Sequence, residues 1–154
     1  MLIASLLVSA GNIRCRDNTT SSKKRVIENI SHLLATNTEA VTADKIFQAL
    51  LERERLGSTG LGKGVAIPHA RIPGITHTIA AMMTLESPVN YEAADNQPVD
   101  IVFGLLVPVD DSIHHLEHLS RLVTIFRDPQ ICQSIRDTTD PEIMFDLLLA
   151  IDDD

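Results

Sequence analysis

Two long apolar runs, at residues 78–85 and 100–107, constrain the fold of this 154-residue chain more than any other feature. A shorter run covers residues 65–67. In all three, apolar residues follow one another almost without interruption instead of alternating strictly with polar ones. This pattern is typical of strands that are covered on both faces. The runs therefore predict a central sheet with helices on either side.

Helical patterns precede and follow these strands. Five helices are predicted, over 22–35, from Thr42 to near Gly57, from 111 or 112 to about 126, and from Asp128 and Asp140 onward. The last two starts are well marked, because each aspartate stands directly before a proline. We therefore predict one α/β domain over 1–154, with a mixed parallel/antiparallel β-sheet sandwiched between α-helices.

Charge and apolar content narrow the classes of function. Thirteen basic residues against 21 acidic ones give a net charge of -8, which argues against a broad nucleic-acid-binding surface. The apolar stretch 1–8 is too short to cross a bilayer and is soon followed by charged residues, so no membrane insertion is expected. Cys15 and Cys132 lie far apart and suit reduced packing thiols. A cytoplasmic location is the expectation.

A glycine-rich segment, residues 57–64, places four glycines in eight residues. It approaches the nucleotide-binding P-loop, but Gly64 stands where that motif needs a magnesium-binding Ser or Thr. The segment also follows a helix and enters a strand, the reverse of a P-loop. Two interpretations stay open: a tight turn that uses glycine conformations, or a small anion site to which Ser58, Thr59 and Gly60 contribute.

His69 follows this segment directly, after Pro68, at the predicted end of the 65–67 strand. Open α/β sheets bind ligands beyond strand ends, and the fixed φ of Pro68 stiffens the approach to the histidine. A lone histidine at a strand end is also compatible with an inert role. The glycine-rich segment before it and Arg71 after it favour a functional one.

Three further histidines share the predicted helix over 112–126. Helical spacing places His115 at the edge of an apolar face that includes Leu116, and it directs His114 and His118 towards solvent. His115 is therefore either a packing residue or a site residue. His114 and His118, with Asp110 and Asp111 nearby, could hold a metal, but no third ligand is specified and we assign no metal site.

Two histidines and an arginine suit phosphoryl transfer. A neutral imidazole is a good nucleophile near pH 7. A second imidazole can orient the first ring or bind phosphoryl oxygens, and an arginine neutralises the charge of the transition state. No metal is needed when neither donor nor acceptor is a nucleotide.

Two stretches carry a resemblance to a known family. Residues 53–69, RERLGSTGLGKGVAIPH, resemble the active-site signature of the mannitol/fructose-type IIA proteins of the bacterial phosphoenolpyruvate-dependent phosphotransferase system. The later segments DNQPVD (95–100), LLVP (105–108) and HLEHL (115–119) also fit. The chain is most similar to the nitrogen-regulatory IIA branch, and the resemblance spans nearly its whole length.

The resemblance implies roles for particular residues. His69 matches the histidine that accepts phosphate from a small HPr-like carrier, and His115 matches the second active-site histidine. Arg53 matches an arginine near the phosphohistidine, and Thr59 lies in the loop beside it. Ala70 differs from the glycine that many members carry after the active histidine. The only intermediate implied is a covalent phosphohistidine, so no cofactor is expected.

Three functions remain open. The leading one is a nitrogen-regulatory IIA phosphocarrier, a phosphotransferase component whose phosphorylation state regulates partners such as sensor kinases or transporters. The second is a sugar-specific IIA that passes phosphate to a IIB domain during fructose or mannitol uptake. The third is a binding module whose histidines are structural or metal-binding.

Overall fold

A mixed sheet of six strands forms the centre of the computed structural model, which describes residues 2–110 and 112–152. The strands are β1 (Ile13–Asp17), β2 (Gly60–Gly62), β3 (Val65–Ala66), β4 (His69–Ile72), β5 (Ile79–Val89) and β6 (Val99–Pro108). Their order is β1-β5-β6-β3-β2, with β4 also alongside β6. β5 and β6 are antiparallel, whereas β1 runs parallel to β5, and β3 and β4 run parallel to β6.

Helices cover both faces of this sheet. They are α1 (Leu2–Leu7), α2 (Lys23–Ala35), α3 (Ala43–Arg55), α4 (Ser112–Phe126), α5 (Pro129–Asp137) and α6 (Pro141–Asp152). Buried side chains of α2 and α3 form one apolar core against the sheet, and those of α1, α4, α5 and α6 form the other. The predicted single-domain α/β sandwich is therefore confirmed.

The central strands show why their sequences are almost continuously apolar. Along β5, Ala81 and Met83 belong to the core under α2 and α3, whereas Ala80 and Met82 belong to the opposite core. Successive side chains of a strand point to opposite faces, so a strand covered on both sides needs apolar residues at every position. Each large side chain buried in this way contributes about 1.5–3 kcal/mol.

The predicted starts of α2, α3 and α5 are confirmed, and each of these helices begins with a capping side chain. Ser22 precedes α2 and accepts a hydrogen bond from the Arg25 amide, and Thr42 does the same for Lys45 before α3. Asp128 caps α5 by accepting from the amides of residues 130 and 131. These caps satisfy amides that the first helical turn leaves without partners.

Four elements were not predicted: α1, β1, β2 and β4. All are short: each has three to six residues, in a segment that lacks a clear period. β5 also continues to Val89, beyond the predicted end at residue 85, past an irregularity in its pairing with β6. Within the described residues, no helix has both the length and the apolar character required to cross a membrane.

Candidate active site

His69 begins strand β4, immediately after an interruption in the chain at Ile67 and Pro68. Both β3 and β4 pair with β6, with His69 opposite Leu105. The Pro68 carbonyl accepts a hydrogen bond from the Leu105 amide at 3.0 Å, which ties the interruption to the sheet. The sequence predicted His69 at the end of the 65–67 strand, and β3 does end shortly before it, but the prediction did not include a further strand. The His69 backbone is part of the sheet because a second short strand resumes after Pro68.

The His69 ring is held by a main-chain carbonyl two residues before it in the chain. Its Nδ1 lies 2.8 Å from the carbonyl oxygen of Ile67. Since a carbonyl oxygen can only accept, Nδ1 carries the hydrogen and donates it. In the neutral ring the lone pair therefore resides on Nε2. The ring is half-buried, and this contact orients it for nucleophilic attack through Nε2.

The pKa of His69 lies below its ordinary value. Burial is the largest cause, because it disfavours the charged ring, and the positive charge of Arg53 acts in the same direction. The hydrogen bond to Ile67 and the negative charge of Glu54 act in the opposite direction. The net effect keeps the imidazole neutral, and therefore nucleophilic, near pH 7.

His115 reaches the same place from helix α4. Its ring centroid is 5.4 Å from that of His69, and the two ring planes are tilted by 45°. Only 7% of His115 is exposed. The two histidines singled out from sequence thus form a pair, although 46 positions separate residues 69 and 115 in the sequence.

Two predictions about the neighbours of His115 were wrong. Leu116, expected on the apolar face, is 66% exposed. His118, expected to face solvent, is half-buried. Successive helical residues are rotated by about 100°, so a helix that buries His115 against His69 turns Leu116 outward. The buried face is centred on the histidine instead of on the leucine.

A cavity of about 200 Å³ lies beside His69. Five of the six predicted site residues line it: Arg53, Ser58, Thr59, Gly60 and His69. The rest of the lining is apolar and consists of Leu61, Ile67, Leu119 and Val123. The half-buried Arg53 donates from Nη1 to the Gly57 carbonyl at 2.9 Å. A cavity with a nucleophilic nitrogen and a guanidinium in its walls suits a phosphoryl group.

The glycine-rich segment is a β-hairpin. Strands β2 and β3 are antiparallel, and Lys63 and Gly64 connect them with positive φ values of 56° and 85°. Two central residues with positive φ are what a type I′ hairpin turn requires. This connection is not the strand-to-helix turn of a P-loop. The tight-turn interpretation is therefore confirmed at the hairpin tip.

The amides at the base of this hairpin donate within the protein. The Thr59 amide donates to the Glu54 carboxylate, and the Gly60 amide donates to Ser58 Oγ at 3.1 Å. Gly60 is required for space, because an added Cβ would lie 2.7 Å from the Cβ of Ala93. Both amides are therefore already paired within the protein and are not available as donors to an anion.

Sequence reasoning missed a buried polar cluster behind the cavity, which consists of Lys23, Glu54, Thr59 and Tyr91. Glu54 accepts from the Tyr91 hydroxyl at 3.0 Å, from the Thr59 hydroxyl, and from Lys23 Nζ at 3.0 Å. Lys23 Nζ also lies 4.6 Å from the centre of the Tyr91 ring. The available signal was spacing: Glu54 follows the buried Leu50 by four residues and so shares its helix face.

The metal alternative involved His114, His118, Asp110 and Asp111. Asp111 and the His114 side chain lie outside the residues that the structure describes. Within the described part of the chain, no three His, Cys, Asp or Glu side chains group as a metal site would require.

The family described as "Phosphoenolpyruvate-dependent sugar phosphotransferase system, EIIA 2" matches residues 6–151. The chain belongs to this family. It is therefore a component of the phosphotransferase system, and the resemblance seen in the sequence is confirmed.

Individual relatives point to one branch of the IIA family. A nitrogen regulatory protein from Pseudomonas aeruginosa is 38% identical over 130 residues, 84% of each chain. One from Escherichia coli is 39% identical over 128 residues, covering 82% of this chain and 78% of that protein. The crystal structure of nitrogen regulatory protein IIA-Ntr from Neisseria meningitidis superposes with a TM-score of 0.88 at 36% identity, covering 96% of this chain and 99% of that one.

Proposed function

We propose that this chain is a nitrogen-regulatory IIA phosphocarrier that accepts a phosphoryl group on Nε2 of His69 from an HPr-like carrier protein. The surroundings of His69 carry the proposal: the ring donates from Nδ1 to Ile67, lies against the His115 ring, and shares a cavity with Arg53. The three relatives described above are all named nitrogen regulatory proteins, which supports the choice of branch.

The transfer step follows from the orientation of the ring. The Nε2 lone pair of neutral His69 attacks the phosphorus of a phosphohistidine on the carrier. As the new N–P bond forms, the donor N–P bond breaks and its electron pair returns to the carrier imidazole. The product ring carries phosphorus on Nε2 and still holds hydrogen on Nδ1, so it is an imidazolium. The Ile67 carbonyl oxygen stabilises this ring through the existing hydrogen bond. No cofactor enters the step.

Arg53 and His115 stabilise the transferred group. The guanidinium can present paired N–H donors to phosphoryl oxygens, and its charge offsets the negative charge that spreads over them in the transition state. The second imidazole lies against the first and limits how far the ring can rotate. Ser58 and Thr59 complete the polar wall of the cavity.

Exposed apolar side chains beside these residues suit docking of the carrier protein. Leu56, three positions after Arg53, is 85% exposed, and Leu116, next to His115, is 66% exposed. Large apolar side chains that project into solvent near a site are a common feature of protein interfaces. We propose that they contact the phosphocarrier while its phosphohistidine enters the cavity.

We further propose that the output is regulation in the cytoplasm. The phosphorylated and free forms would present different charge at the mouth of the cavity, because a phosphoryl group adds about two negative charges. A regulated partner, such as a sensor kinase or a transporter, could therefore distinguish the two forms. Both cysteines are free thiols, which suits a reducing compartment.

The test is reconstituted phosphorylation. The protein is incubated with phosphoenolpyruvate, the first enzyme of the system and the carrier, and phosphorylation is followed by mass spectrometry and acid lability. We expect one acid-labile phosphoryl group on the wild type, none on H69A, and the wild-type level on H32A, a matched control because His32 is exposed and distant in sequence. An adduct retained in H69A would contradict the proposal.

A second measurement separates regulation from sugar transport. Purified phosphorylated protein is mixed with IIB domains of fructose and mannitol systems. We expect the phosphoryl group to stay on His69 for the time in which a sugar-specific IIA protein, run in parallel, transfers its phosphoryl group to its IIB domain. Rapid transfer to a IIB domain would instead favour the sugar-specific function.

A further inference from the structure

A continuous set of hydrogen bonds connects the buried Glu54 to His69 through two intervening residues. The Thr59 amide donates to the Glu54 carboxylate at 3.2 Å. The Thr59 carbonyl accepts from the Ile67 amide at 3.1 Å, and the Ile67 carbonyl accepts from His69 Nδ1 at 2.8 Å. The Ile67 carbonyl thus occupies the place of the group that orients the histidine, and Glu54 is linked to it through the backbone of Thr59 and Ile67.

We propose that Glu54 is a positioning residue for phosphoryl transfer: through Thr59 and Ile67 it holds the His69 imidazole in the orientation and tautomer that leave Nε2 as the nucleophile. The inference rests on the proposed function of His69. In many reactive histidines, a carboxylate or carbonyl partner fixes which ring nitrogen carries the hydrogen. The proposal gives Glu54 an indirect form of this role.

The Glu54 carboxylate is itself held in place from three sides. Its side chain is 3% exposed, and an unpaired charge at such a position would be strongly unfavourable. Lys23 from α2 supplies the counter-charge, Tyr91 from the segment after β5 donates its hydroxyl, and Thr59 donates both its amide and its hydroxyl. The cluster therefore joins α2, α3 and the hairpin at one point behind the cavity.

The charges that face His69 give the proposal a specific signature. Both Arg53 and Glu54 belong to α3; the charge of Arg53 lowers the His69 pKa, and the charge of Glu54 raises it. His115 faces the ring from α4. Lys23 faces Glu54 from α2. Replacing Glu54 by glutamine removes one of the two influences that raise the His69 pKa and leaves Lys23 without its counter-charge. Both changes lower the His69 pKa further, whereas general loss of structure would lower activity without this shift.

The main experiment compares E54Q with E52Q, a matched control that removes an exposed carboxylate from the same helix. Nitrogen NMR of the histidine rings gives the tautomer and the pKa of His69, and the reconstituted reaction gives the pH profile of phosphorylation. In E54Q we expect less of the Nδ1-protonated tautomer, an acid limb moved to lower pH, and transfer slowed about tenfold. In E52Q we expect no change. An unchanged tautomer and acid limb in a folded E54Q would overturn the proposal.

Y91F keeps the test decisive if E54Q does not fold. Phenylalanine fills nearly the same volume and removes only one of the donors to Glu54. We expect a smaller change in the same tautomer ratio and transfer slowed about threefold, within the range for an indirect orienting contact. A tautomer ratio and rate equal to the wild type would overturn the proposal. Loss of phosphorylation in the wild type itself would instead contradict the function of His69, so the two failures are distinguishable.

Discussion

Tyr91 permits a sharp test of the buried cluster, because it is the only tyrosine in a chain without tryptophan. It is fully buried, and burial raises the pKa of its hydroxyl far above the ordinary value, with the negative charge of Glu54 adding to the effect. The folded protein therefore resists ionisation of this group. We expect the near-ultraviolet tyrosinate band to stay absent at pH values where an exposed tyrosine ionises, near about 10.

The same shift predicts how stability depends on pH. A raised folded-state pKa means that the unfolded chain releases the Tyr91 proton first, so stability is intact below about pH 10 and falls above it. The loss amounts to about 1.4 kcal/mol per pH unit from this residue. Urea unfolding of wild type and Y91F at stepped pH isolates the effect from lysines, which titrate in both proteins.

At neutral pH, Y91F should lower the free energy of unfolding by about 1.5–3 kcal/mol, the usual contribution of a hydrogen bond to a charged group. The difference between the two proteins should shrink as the pH rises above about 10, because only the wild type loses stability at Tyr91. A tyrosinate band that grows near pH 10 while circular dichroism remains native would refute the reasoning.

Three other changes have expected outcomes. Because the pKa of His69 is lowered, phosphoryl acceptance should persist below about pH 6.5 and fall only in more acid solution, as a pH–rate profile would show. R53K, which keeps the charge but loses the paired donors, should slow acceptance about 10- to 100-fold with native thermal stability; an unchanged rate would exclude contact with the phosphoryl group. G104A would place a Cβ 2.6 Å from Cγ1 of Ile30 and should cost about 1–3 kcal/mol in urea unfolding, whereas G11A, with only Ser9 Oγ at 3.3 Å, should change stability less.

The sequence predicted the architecture well where the determining interactions join residues that are close together in the chain. The capping side chains of Ser22, Thr42 and Asp128 each satisfy amides of their own helix, so the start of the helix can be read within four residues. The two-sided burial of β5 and β6 is similarly visible in their composition. The short elements β1 and β4 could not be predicted, because their pairing partners determine them and lie far away in sequence.

The same distinction between local and long-range determinants applies to the residues of the candidate site. His69 could be singled out from the residues beside it, and the edge position of His115 followed from helical spacing. The approach of the two rings depends on how α4 packs across the sheet, which no local pattern encodes. The resemblance to the IIA family supplied that pairing, together with Arg53. Neither route indicated Lys23 or Tyr91, since both come from separate elements to meet one carboxylate.

Arg53 and Glu54 show how one helix end can serve two opposite electrostatic needs. Consecutive helical residues are rotated by about 100°, so the last turn of α3 presents the guanidinium to the cavity while it buries the carboxylate behind the loop. A carboxylate facing the cavity would repel a phosphoryl group. Buried and paired with Lys23, it can organise the hairpin through Thr59 without opposing the anion directly. An exchange of the two side chains, R53E/E54R, would therefore be expected to abolish phosphorylation even though the composition and net charge of the protein stay the same.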